Sequence, residues 1–94
     1  MFGRMAGKLI VHPRITVRHP QLTSEDVAAA WNGALISAPR LPDRPDGYIA
    51  LGFDAKGRLL EVVAVRLDSA DWLAFHAMTP PSGKTFKELG VERR

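Results

Sequence analysis

Two residues of this chain, Glu61 and His76, are of types that could exchange protons with a substrate near neutral pH. Glu61 interrupts RLLEVVAVRL (Arg58 to Leu67), a stretch otherwise suited to a strand buried on both faces. What it faces follows from strand register, and register follows from turn length. Pairing Phe53 with Arg58 across the DAKG turn sets Ala50 opposite Glu61 and Tyr48 opposite Val63. Pairing Leu67 with Trp72 across DSAD sets His76 opposite Val63 and Met78 opposite Glu61. Glu61 and His76 are then diagonal neighbours, with Cα atoms roughly 7–8 Å apart and longer side chains able to meet. Tyr48 lies two strands over in the row of His76, and Ala50 and Gly52 floor a shallow polar face. The same residue types also populate an ordinary solvated sheet face, so the grouping is a candidate site and nothing more at this point.

The elements that hold this face follow from the pattern around it. Its opposite face collects Ile49, Leu51, Phe53, Leu60, Val62, Ala64, Leu73, Phe75 and Ala77, with Arg58 at the rim. That apolar face needs a cover, which LTSEDVAAAWNGALI supplies as a helix. Thr23 caps it with Asp26 as a capping-box partner, and Val27, Trp31, Ala34 and Leu35 form its apolar stripe. Lys8 to His19 reads as extended, confined by Pro13 to an edge strand or two short pieces. Ser37 to Gly47 holds three prolines and reads as a surface loop carrying Arg40 and Arg44. TPPSG ends the last strand, and KTFKELG forms a short final helix stopped by Gly90. The expected fold is therefore α+β: a small twisted antiparallel meander with one main helix on one face and a short C-terminal helix. One domain spans 1–94, with residues 1–7 expected to be disordered and Met5 an alternative start.

Composition narrows the partners. The chain is 46% hydrophobic and 24% charged, as globular domains are. Thirteen Lys and Arg against ten Asp and Glu give a net charge of +3, which suits an acidic partner, nucleic acid or protein. There is no cysteine, hence no disulfide or thiolate chemistry. No apolar run suits a signal peptide or a membrane span, so the expected location is the cytoplasm. The histidines lack metal spacing, and there is no phosphate-cradling glycine loop and no nucleophile elbow. No metal and no cofactor are expected. The basic residues form no continuous stripe; phosphate binding requires several of them to ring the Glu61–His76 face.

Three stretches resemble the small toxins of bacterial type II toxin–antitoxin systems, in particular the BrnT branch of the RelE/ParE superfamily. RHPQLTSEDVAAAW resembles the branch's Lys-His-Gly motif and capped helix, with Arg18 and His19 as the basic pair. LGFDAKGRLLEVV resembles its Ile-Gly hairpin and Gly-Arg-Leu-Leu-Val-Val strand, so that Gly57 and Arg58 match. LAFHAM stands where the branch has a strand ending in Ile-Ser-Ala-Arg. Pro20 replaces the motif glycine, His76 stands at the serine position, and Met78 stands where arginine is expected. The resemblance covers most of 12–89 and implies a metal-independent ribonuclease, neutralised by a cognate antitoxin through which it could also oligomerise. Such chemistry activates the ribose 2′-hydroxyl, and an acid protonates the 5′-oxygen leaving group. Glu61 would be base and His76 acid, or the reverse, with Arg58, Lys84 and Arg18 stabilising the phosphorane. Tyr48 or Trp72 would stack on a base, and His19 and Lys87 would add substrate contacts. The alternative is a degenerate toxin that binds protein or nucleic acid without catalysis.

Overall fold

The computed structural model describes residues 7–40 and 44–90; of the stretch 1–7 expected to be disordered, all but Gly7 lies outside them, as do the C-terminal Arg93 and Arg94. The elements run β1 (Leu9–Val11), α1 (Pro13–Arg18), α2 (Ser24–Asn32), β2 (Ile36–Arg40), β3 (Arg44–Phe53), β4 (Leu59–Arg66), β5 (Trp72–Met78) and α3 (Gly83–Glu88). The α+β class is as expected, but the sheet is mixed and has five strands in the order β1-β5-β4-β3-β2. The meander β3-β4-β5 is its centre, β1 adds a parallel edge beside β5, and β2 forms the other edge. No helix among the described residues is long and apolar enough to cross a membrane.

Two segments differ from expectation for reasons of proline chemistry. Pro13 does not sit in an extended stretch; it opens α1, where the lost N–H has no helical partner to miss. His12 caps that helix, its Nδ1 accepting from the Arg14 N–H at 3.0 Å. The three-proline segment is not all loop either, since β2 runs through Pro39, an edge position that tolerates a missing donor. α2 carries the expected Thr23–Asp26 capping box. It ends at Asn32, so Leu35 falls beyond it and is 68% exposed instead of completing the stripe.

The register of β3 on β4 is shifted by one residue, and this reverses a whole strand. Asp54 and Arg58 close the turn: the Asp54 N–H donates to the Arg58 carbonyl at 2.9 Å. The Asp54 carboxylate accepts from the backbone N–H of Lys56 and Arg58, and Gly57 takes a positive φ of 80°. This is a three-residue hairpin loop whose left-handed position requires glycine. Leu51 therefore faces Glu61, Ala50 faces Val62 and Phe53 faces Leu59. Tyr48, Ala50 and Gly52 turn to the α2 side, while Ile49, Leu51 and Phe53 turn to the Glu61 side.

In the second hairpin two deviations offset each other. Arg66, not Leu67, pairs with Trp72, and a bulge follows at Val63/Ala64. The bulge restores the expected pairs Val63–His76 and Glu61–Met78. It also leaves Phe75 and His76 on one side, and sends Trp72 to the α2 side.

Both faces of the sheet consequently carry apolar clusters. Val27, Ala30 and Trp31 of α2 pack on Ala50, Leu60, Val62, Ala64, Trp72 and Ala74. On the other face Ile49, Leu51 and Val63 meet Leu89, with Phe75 and Phe86 against them. At Gly52 the sheet lies tight against α2: a Cβ there would lie 2.1 Å from the Ala30 carbonyl oxygen. Gly52→Ala is expected to push the helix off the sheet and lower stability by about 2–3 kcal/mol, read as a lower urea midpoint.

Candidate active site

Glu61 lies on the central strand β4, on the face away from α2, and is 4% exposed. A buried carboxylate has to be paired and hydrogen-bonded, and Glu61 is both. His76 Nε2 is 2.6 Å from its Oε2. On Oε1 it accepts from the Thr85 hydroxyl at 2.6 Å, the Ser82 N–H at 2.9 Å and the Ser82 hydroxyl at 3.3 Å. The bulge in β5 aims His76 at it, and the capped start of α3 brings Ser82 and Thr85 over it.

Burial pushes the Glu61 carboxyl up, but hydrogen bonds from His76, Thr85 and Ser82 outweigh that and hold it down to about 2. A carboxylate held so low, with donors on both oxygens, is a poor proton acceptor at neutral pH. With donors on both of its oxygens, Glu61 is placed to orient the imidazole. The neutral tautomer that donates Nε2–H to Glu61 keeps its lone pair on Nδ1. The His76 side chain is 39% exposed and so reachable.

Above this pair opens a cleft of about 480 Å³. α1 contributes Arg14, Ile15 and Arg18 to its lining, its C-cap residue His19 joins them, β2 contributes Arg40, and α3 contributes Lys84 and Glu88. Ile49, Val63 and Phe75 supply apolar lining beside Glu61 and His76. Arg40 is engaged by Glu88 through two bonds of 2.8 and 3.2 Å, which tie β2 to α3. Arg14, Arg18 and Lys84 make no ion pair among the described residues. The cleft is thus rimmed by cations, as an anionic ligand requires.

Of the residues read from sequence, Glu61, His76, Arg18, His19 and Lys84 come together here. Lys87 is exposed on α3 and lies outside the lining. Arg58 is elsewhere. Its guanidinium bonds Asp54 at 2.8 Å, Asp26 at 3.0 Å and the Gln21 carbonyl at 3.1 Å, tying the hairpin turn to α2. Three acceptors hold it on the α2 side, so it does not serve the cleft. Tyr48 and Trp72 are also corrected: the register shift and the bulge carry both to the α2 side. Trp72 is 1% exposed, 5.5 Å from the Trp31 ring and 5.3 Å from the Tyr48 ring, closed to any stacking base.

Sequence reasoning missed Arg14, Arg40, Ser82 and Thr85. Arg14 and Arg18 stand four apart, one face of a helix, a signal hidden by reading Pro13 as a strand breaker. Ser82 followed three residues on by Thr85 is a legible helix cap. That the same pair would clamp Glu61 was not legible. Among the described residues no cluster of three metal-ligating side chains occurs. In comparisons with protein families, curated proteins and solved structures, the chain matched none.

Proposed function

We propose that the protein is a metal-independent endoribonuclease, acting in the cytoplasm as the toxin of a type II toxin–antitoxin pair and silenced by its cognate antitoxin. The observation that carries this reading is a carboxylate-oriented histidine inside a cation-rimmed cleft. Phosphodiester transfer needs a base for the 2′-hydroxyl and fixed positive charge for the phosphorane. His76 Nδ1 is the base, Glu61 holds its ring, and Arg14, Arg18 and Lys84 meet the phosphate. The resemblance to BrnT-like toxins supplies the biological setting, including antitoxin binding and any oligomer formed through it.

The test is twofold. Purified protein is incubated with total RNA in excess chelator, and the gene is induced alone in a bacterial host. Cleavage with growth arrest is the expected result. Intact RNA from folded protein would sink the enzyme reading.

One observation favours the second reading, a non-enzymatic binding domain. Glu61 also fastens the start of α3 to the sheet, a job that needs no chemistry. On that reading RNA binds in the cleft and stays whole, so a retained, uncut oligonucleotide separates the two.

A further inference from the structure

Cleavage by 2′-hydroxyl attack requires two proton transfers, and the Glu61–His76 pair provides for only one. The 2′-oxygen gives up its proton as it attacks phosphorus, and the 5′-oxygen takes one as its bond to phosphorus breaks. Both Glu61 oxygens already accept hydrogen bonds, so neither is placed to deliver a proton to a leaving group. The acid therefore comes from elsewhere on the cleft wall. Glu88 is held by Arg40. Arginine does not release its proton in water, and an exposed lysine ammonium parts with its own reluctantly at neutral pH. Imidazole is the side chain that both holds and releases a proton there, and the cleft has a second one.

That residue is His19, which sits just past the end of α1 and lines the same cavity as His76. Its backbone is fixed at both groups. The His19 N–H donates to the Ile15 carbonyl at 2.9 Å, and its carbonyl accepts from the Leu22 N–H at 2.8 Å. Ile15 and Leu22 are themselves buried, so the main chain carrying the ring is anchored in the core while the ring is only half-buried. Arg14 and Arg18, on the helix that His19 ends, line the same cavity, so the ring shares its cleft with the cations suited to a phosphate.

We propose that His19 is the general acid of this site, paired with His76 as the base. This rests on the ribonuclease reading above. His76 Nδ1 accepts the 2′-hydroxyl proton, the 2′-oxygen bonds to phosphorus, and the phosphorus–5′-oxygen bond breaks. His19 gives its proton to that oxygen. The products are a 2′,3′-cyclic phosphate and a 5′-hydroxyl end; exchange with water resets both rings.

The experiment uses the full chain in chelator. The parent's cut site is mapped in a long single-stranded transcript. An oligonucleotide spanning it is then made in two forms, one ordinary and one with sulfur replacing the 5′-bridging oxygen. A thiolate leaves without protonation, so loss of the acid is forgiven in the second substrate. His19→Ala is expected to cut the ordinary oligonucleotide about 10²-fold more slowly, to cut the sulfur form at close to the parent's rate, and to bind the all-deoxy analogue with unchanged affinity. His76→Ala is expected to be slow on both. An unchanged rate for His19→Ala on ordinary RNA overturns the assignment while leaving the ribonuclease standing. So does an equal loss on both substrates, which makes His19 a binding or structural residue. A parent that leaves RNA whole removes the reading beneath, and this one with it.

Discussion

His76→Ala is expected to slow RNA cleavage by about 10²–10⁴-fold, the usual worth of a positioned acid–base group. The protein should remain folded, because the ring is partly exposed and packs into no core cluster. Glu61 would lose one donor and keep three, from Ser82 and Thr85, so α3 stays attached. Single-turnover rates on one oligonucleotide, beside thermal melts, separate the two effects. A variant that melts like the parent and cuts like the parent would remove His76 from the mechanism.

Glu61→Gln should have two large and separable consequences. The first concerns the tautomer. An amide nitrogen facing Nε2 would require that nitrogen to accept, moving the ring proton to Nδ1, where the base is needed. Cleavage is expected to fall about as far as in His76→Ala, and the double variant no further, since the pair acts as a unit. Additive losses would mean that Glu61 has a separate role.

The second consequence is in acid stability. Glu61 is held at about 2 when folded against an ordinary value of 4.5. A depressed carboxylate contributes stability that is present above its unfolded value and is lost as pH falls toward its folded one. The contribution here is roughly 3 kcal/mol at neutral pH, and it disappears between about pH 5 and 2. Asp26 behaves alike: the Thr23 N–H is the main cause of its drop from 3.8 to about 2, against burial, with Lys56 adding to it. Urea midpoints of the parent should therefore decline steeply over that range. The Glu61→Gln midpoint should start lower and decline less. Parallel curves would show that Glu61 gains nothing from its four bonds.

How legible the molecule was depended on whether a feature is local. The capped α2, the short final helix with Gly90 at a φ of 70°, and the existence of β3, β4 and β5 are written in neighbouring residues. So was the meeting of Glu61 with His76, but partly by compensation: the β4–β5 turn is one pair off, and the bulge at Val63/Ala64 returns the partners to place. Where nothing compensated, as at Asp54–Arg58, one residue of register moved Tyr48 to the wrong face. Side chains alternate with period two, so a slip of one is the largest error of facing a strand can suffer.

Residue types and local spacing alone determined an α+β chain with a capped helix, a three-stranded meander and a Glu–His pair on one face of it. Tertiary structure alone decided what surrounds that pair. It set α1, with Arg14, Arg18 and the capping His19, along the cleft, and α3, with Thr85 and the capping Ser82, over the carboxylate. It also took Arg58 and Trp72 away to the α2 side. The partners of Glu61 outside its own hairpin lie 21 and 24 residues further along the chain. Such contacts are selected by burial of both sheet faces together, a sum over the whole core that no short stretch of sequence contains.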